Sequence, residues 1–128
     1  MNTTQLFILI LVIHFLADFA LQTHEQAQGK GEGTDFLNKW LAYHVGTYTL
    51  IWSVVYWILP INPEIQKFWG WIGFSLLVGI PHYLTDWCTS RIGKPFWKSG
   101  DFHNGFVVIG FDQVIHYISL ILVIQLFT

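Results

Sequence analysis

Charged residues are scarce in this sequence. Only 11% of its 128 residues are Asp, Glu, Lys or Arg, against about 25% in an average soluble domain. A soluble chain this short exposes much of its surface and needs charges to cover it, so lipid is the expected solvent rather than water. A basic excess is missing too. Six Lys and Arg stand against eight Asp and Glu, for a net charge of −2 with His neutral. No cationic face is left for a phosphate-rich polymer, and nucleic acid is set aside as a partner. The single cysteine, Cys88, excludes an internal disulfide and reads as a small buried apolar residue. No Lys or Arg precedes the first apolar run, and that run contains His14 and Asp18 where a cleaved leader would have an unbroken core. A retained span is expected there.

What is abundant is apolar: 53% of the residues are hydrophobic and 18% aromatic. A spanning helix needs about 20 predominantly apolar residues, and four segments meet that length, residues 4–23, 40–59, 68–88 and 105–127. The stretches between them read as solvated connections: Gln26–Asn38 with three glycines, Pro60–Lys67 with two prolines, and Arg91–Asn104 with Gly93, Pro95 and Gly100. The first and third connections hold Lys30, Lys39, Arg91, Lys94 and Lys98, whereas the second holds only Lys67. The positive-inside rule then puts both termini outside a multi-pass protein of the inner (cytoplasmic) membrane. Tyr56, Trp57, Trp69 and Trp71 flank the outer turn, and Trp40, Tyr43, Trp87, Trp97 and Phe102 the inner side, as interfacial aromatics do. The expected fold is one all-α domain, an integral membrane four-helix bundle.

Ionisable groups in an apolar span cost about 2.5 to 3.5 kcal/mol each for Asp on the insertion scale, so they persist mainly where paired or functional. Seven occur here. His14 and Asp18, His82 and Asp86, and Asp112 and His116 are pairs four apart, which share one face of a helix, and the second span adds His44. All seven fall in the inner half of the membrane or near its middle when counted at about 1.5 Å per residue. Imidazoles and carboxylates in this number are the donors of a first-row divalent ion, zinc foremost, and bundles build di-metal sites from such inward-facing groups. His14 precedes His44 by the same interval as His82 precedes Asp112, so two similar helical hairpins are expected. Pro81 cannot donate to its helix and is expected to kink the span beside His82. The plainer alternative is that the pairs are neutral hydrogen-bonded couples holding helices together.

Gln22, Thr85, Thr89 and Gln113 stand beside these residues and are expected to orient them. Arg91, Lys94 and Lys98 form a basic inner stretch suited to a phosphate or an anionic lipid head group.

The stretches His14–Gln22, His44, His82–Asp86 and Asp112–His116 together resemble a bacterial and phage membrane family known as domain of unknown function 3307. The resemblance implies a four-helix membrane protein and no particular activity. More loosely, His and Asp four apart in a span is similar to membrane-bound metal-dependent hydrolases.

Three functions fit. The first is a metallohydrolase acting on a lipid-linked phosphate or ester from the inner leaflet, with Asp18 and Asp112 as the catalytic carboxylates. The second is a metal-ion or proton transporter or channel, although the outer halves of the spans offer no ionisable relay. The third is a non-catalytic membrane subunit. Membrane lipid is the expected partner, and a homo-oligomer is compatible with each.

Overall fold

A computed structural model describes residues 1–128 and is helical throughout its regular elements. Helix α1 (Thr3–Phe15) starts at a capping box: Asn2 Oδ1 accepts from the Gln5 amide and Gln5 Oε1 accepts from the Asn2 amide. It runs without a break into a π-helical turn, Leu16–Ala20, closed by Leu21 N–H donating to Leu16 O at 3.0 Å. A second capping box, Thr23 with Gln26, starts the short α2 (His24–Gly29). Asn38 caps α3 (Lys39–Val55), accepting from Trp40 and Leu41 N–H. Then come α4 (Phe68–Ser99) and α5 (Phe102–Phe127), joined by Gly100 at φ 77° and the N-cap Asp101. A left-handed C-cap of this kind suits glycine alone.

The elements depart from the sequence expectations in two places. Residues 91–99 are not a solvated connection but the last turns of α4. Gly93 there faces α5, where an added Cβ would touch Val108 and the Trp97 indole at 3.5 Å, so packing of the two helices offsets the breaking tendency of Gly93 and Pro95. Pro81, as expected, lies within the span rather than at its end. Finally, Cys88 is exposed rather than buried. It shares an outward stripe with Leu84 and Ile92, a surface as apolar as the interior.

That outward surface inverts the usual order of a globule. Phe7, Ile8 and Phe15 on α1, Leu50 and Val54 on α3, Leu76 and Ile80 on α4, and Phe106, Phe111 and Leu122 on α5 are all exposed. His14, Asp18, His44, His82, Asp86, Asp112 and His116 are all buried. Two helices, Thr3–Ala20 and Phe102–Phe127, are long and apolar enough to cross a membrane, which makes the chain a candidate membrane protein.

Along the bundle the interior changes character. At the end holding the C-terminus, Trp52, Tyr56, Phe74, Leu120, Ile124 and Phe127 form a packed apolar core, tied by Ser53–Ser75 and Trp71–Ser53 hydrogen bonds of 2.7 and 3.0 Å. The polar residues follow next. The two hairpins differ in their connections: α4 and α5 meet through a tight turn, whereas the segment between α1 and α3 contains α2 and folds back against α4.

Candidate metal centre

Each long helix delivers its polar side chains to one place. The same-helix pairs are near one another, with His14–Asp18 at 3.6 Å, His82–Asp86 at 3.8 Å and Asp112–His116 at 3.3 Å. The tightest contacts run between helices instead. His44 Nε2 lies 3.0 Å from Asp18 Oδ1 and 3.1 Å from Asp86 Oδ2, and His116 Nε2 lies 3.0 Å from Asp86 Oδ1. His82 Nε2 is 3.2 Å from His44 Nε2 and 3.4 Å from Asp18 Oδ1. Its ring is stacked between Tyr48, at 3.8 Å between centroids, and His116, at 4.0 Å.

The π-turn explains how Asp18 takes part. The wide turn carries Asp18 at its centre, and such turns recur where a helix must re-aim a functional side chain. Asp18 thereby reaches His44 and His82 through Oδ1 while Oδ2 accepts from Gln113 Nε2 at 2.8 Å.

Gln113 organises the other side. Its amide also donates to Asp112 Oδ2 at 3.1 Å, so its Oε1 must accept, and His14 Nε2–H donates to it at 2.9 Å. That leaves His14 Nδ1 as the acceptor for the Tyr48 hydroxyl at 2.9 Å. Both nitrogens of His14 are thus engaged, and this residue holds Gln113 in place. Gln22 Nε2 sits 3.0 Å from His44 Nδ1, which leaves His44 Nε2 facing the carboxylates. Thr89 donates to Asp112. Thr85 does not join them: its hydroxyl donates to the Pro81 carbonyl of its own helix at 2.9 Å.

One participant was invisible in the sequence reading. Lys30 reaches in from the connection after α2, and its ammonium lies 3.0 Å from Asp86 Oδ2. Burial pulls its pKa down, but the charges of Asp86 and then Asp18 outweigh this and hold it above the ordinary lysine value. The glycines on either side are the only sequence signal for this role. An added Cβ on Gly29 would come within 2.2 Å of the Trp40 ring, and one on Gly31 within 3.2 Å of the Ser90 carbonyl. Only a bare backbone brings Lys30 so close.

A cavity of about 660 Å³ opens against the cluster on the side of the connections. Asp18, Asp112, Gln22 and Gln113 line its floor, Lys30, Lys94 and Lys98 its walls, and Phe19, Phe102 and Ile109 its apolar rim. Arg91 is turned elsewhere, its guanidinium 4.4 Å over the Trp87 ring and donating to the Trp87 and Asp35 carbonyls. On the opposite side of the cluster the free space is about 10 Å³, against Tyr48, Leu77, His82 and Ser119. His82 Nδ1 is buried there without a hydrogen-bond partner.

The donor set fits a metal ion. Asp18, His82, Asp86 and His116 each offer a ligand atom, and these atoms lie within 4.8 Å of one another. Asp18 Oδ1, Asp86 Oδ2, His44 Nε2 and His82 Nε2 are separated by 3.0, 3.1, 3.2, 3.4 and 3.8 Å in the five pairs that meet directly. Donors about 2.0–2.1 Å from a tetrahedral zinc stand about 3.3 Å apart. Two imidazole nitrogens facing each other at 3.2 Å have at most one proton to share, so a cation shared between them and the carboxylates relieves the mismatch.

No curated protein and no solved structure matches this chain. The family model described as Protein of unknown function (DUF3307) matches residues 6–128, nearly its whole length, and the chain belongs to that family.

Proposed function

We propose that this protein is a membrane-embedded, metal-dependent hydrolase of a lipid-linked phosphate or ester. The observation that carries the reading is the position of the cavity: it meets the His and Asp cluster directly, has lysines on its walls and has an apolar rim. A structural ion needs no such opening, whereas a catalytic ion keeps a position for substrate.

The membrane setting is a four-span bundle of α1 with its π-turn, α3, α4 and α5. Its support is the apolar outer face of all four helices around a polar interior, the reverse of a soluble bundle. Lys30, Lys39, Arg91, Lys94 and Lys98 lie toward the cavity end, which by the positive-inside rule faces the cytoplasm and leaves both termini outside. The cavity is then level with the inner leaflet. Acyl chains would rest between Phe19 and Ile109, and the anionic head group would meet Lys94 and Lys98, with Arg91 confined to the adjoining surface.

Asp18, His44, His82, Asp86 and His116 would hold the divalent ion, with zinc the best match to the donors. Such an ion supplies Lewis acidity, polarising the substrate oxygen and easing deprotonation of water. Asp18 and Asp112 are the buried carboxylates that line the cavity, so they take the proton released as water attacks. Lys30, on the wall beside Asp86, supplies positive charge to the leaving oxygen. Gln22, Gln113 and His14 fix the orientation of these groups.

Transport has less support. Trp52, Phe74, Leu120 and Ile124 are packed solid on the far side of the cluster, so the pocket is closed at that end.

The test is hydrolysis of long-chain phosphomonoesters and carboxylic esters by protein purified into lipid nanodiscs. Turnover is expected to need a divalent metal and to fall at least 100-fold in Asp112→Asn, the range of a lost general base. A protein that binds no divalent metal, or an Asp112→Asn variant as active as the wild type, overturns the reading.

A further inference from the structure

The seven polar groups do not converge on a single point. Asp86 faces two ways: Oδ2 toward His44 at 3.1 Å and His82 at 3.8 Å, and Oδ1 toward His116 at 3.0 Å. On the first side Asp18 Oδ1 completes a set of four donors. On the second side Asp112 Oδ2, 3.3 Å from His116 Nε2, gives a set of three.

We propose that the centre is binuclear, with the Asp86 carboxylate bridging two divalent cations. This rests on the metal-binding reading above and assigns its nuclearity. Three features support it. First, the paired ions of hydrolytic two-metal sites lie about 3.5–4 Å apart, and the His82 and His116 rings, one for each ion, are stacked at 4.0 Å. The two ring planes differ by 24°, with His82 Nε2 nearest Asp86 through Oδ2 and His116 Nε2 through Oδ1. Second, the two Asp86 oxygens meet different imidazoles, His44 at 3.1 Å and His116 at 3.0 Å, so one carboxylate serves both sets. Third, the two sets differ in completeness. Each reaches the cavity through one carboxylate, Asp18 in the first and Asp112 in the second, but only the second, with three donors, falls short of a tetrahedral shell.

The four-donor centre therefore has a complete shell, and the three-donor centre is the one with a position left for a ligand. A phosphate oxygen is the matching ligand class, since two cations side by side stabilise the attacking and leaving oxygens of an in-line displacement. The oxygens not assigned to an ion, Asp112 Oδ1 beside Thr89 and Asp18 Oδ2, which Gln113 holds at 2.8 Å, remain for proton acceptance.

The experiment is manganese loading of the whole protein in nanodiscs, read by elemental analysis and electron paramagnetic resonance. The wild type is expected to hold two equivalents with an exchange-coupled spectrum. Asp112→Asn and His116→Gln are each expected to hold one, with an uncoupled spectrum. One equivalent and an uncoupled spectrum in the wild type overturn the binuclear assignment and leave a mononuclear hydrolase standing. No bound manganese, zinc or cobalt in the wild type overturns both. The wild-type stoichiometry decides the question even if a variant fails to fold.

Discussion

Replacing Lys30 with Met separates its two roles. In the ion-free protein its ammonium lies 3.0 Å from Asp86 Oδ2, with the Lys30 side chain 20% exposed and that of Asp86 1%. Removing one partner of a buried pair costs about 3–5 kcal/mol, because the other charge is left uncompensated. The partial exposure of Lys30 points to the lower figure, about 3 kcal/mol. A cation bound between Asp86, His44 and His82 must compete with that ammonium for the same oxygen. Whatever Lys30 contributes to the ion-free state is therefore withheld from ion binding. Lys30→Met is expected to be about 3 kcal/mol less stable in chelator, and to bind zinc or cobalt about a hundredfold more tightly. Hydrolysis should nonetheless fall, since the cavity wall has lost a cation. Thermal unfolding with and without chelator, and competition calorimetry in the same detergent, read both quantities. An affinity that is unchanged or weaker, together with undiminished stability in chelator, would show that Lys30 does not stand in the place of the ion.

Two further predictions concern the supports of the site. Gln113→Leu keeps the bulk of the side chain but takes the acceptor from His14 Nε2–H and a donor from Asp18 Oδ2 and Asp112 Oδ2, all of which meet the amide within 3.1 Å. An unpaired buried group costs about 1–3 kcal/mol, so a loss of at least ~2 kcal/mol in unfolding free energy and reduced metal content are expected. A variant as stable and as metal-rich as the wild type refutes the chain of bonds. At the start of α5, Asp101 is held below the ordinary carboxylate pKa by hydrogen bonds from the Asn104 side chain and backbone. With a folded pKa below the unfolded one, its contribution is present above the unfolded value and is lost as pH falls through the folded value. Unfolding monitored in acid should show this component in the wild type and not in Asp101→Asn, which caps the helix at every pH.

Much of this was legible because ionisable groups are conspicuous in apolar helices. Seven ionisable groups in otherwise apolar helices stand out in any reading of the chain, and the spacing of each pair placed both members on one face. The cross-helix partners were not legible. Nothing local indicates that His44 meets Asp18 and Asp86 more closely than His82 meets its own neighbour Asp86. Lys30 was hidden because its position depends on how a glycine-rich connection folds back over α4, a long-range outcome without periodicity. Residues 91–99 were misread for a related reason. Gly93 and Pro95 are breakers by local preference, and the packing that overrides them comes from α5. Thr85 and Arg91 show the limit of proximity in sequence: each lies beside the site residues, yet Thr85 is taken up by its own helix and Arg91 by Trp87 and Asp35.

The wide turn at Leu16–Ala20 accommodates one residue more than a regular helix of the same rise would. Loss of a single amino acid there would let the backbone relax into ordinary α geometry. Length and apolarity would be nearly untouched, yet the carboxylate at position 18 would swing away from His44 and toward the apolar outer face. Hydropathy profiles are blind to such a slip. Among chains of equal length and apolarity, those able to assemble this cluster would be told apart by the phase of this one turn.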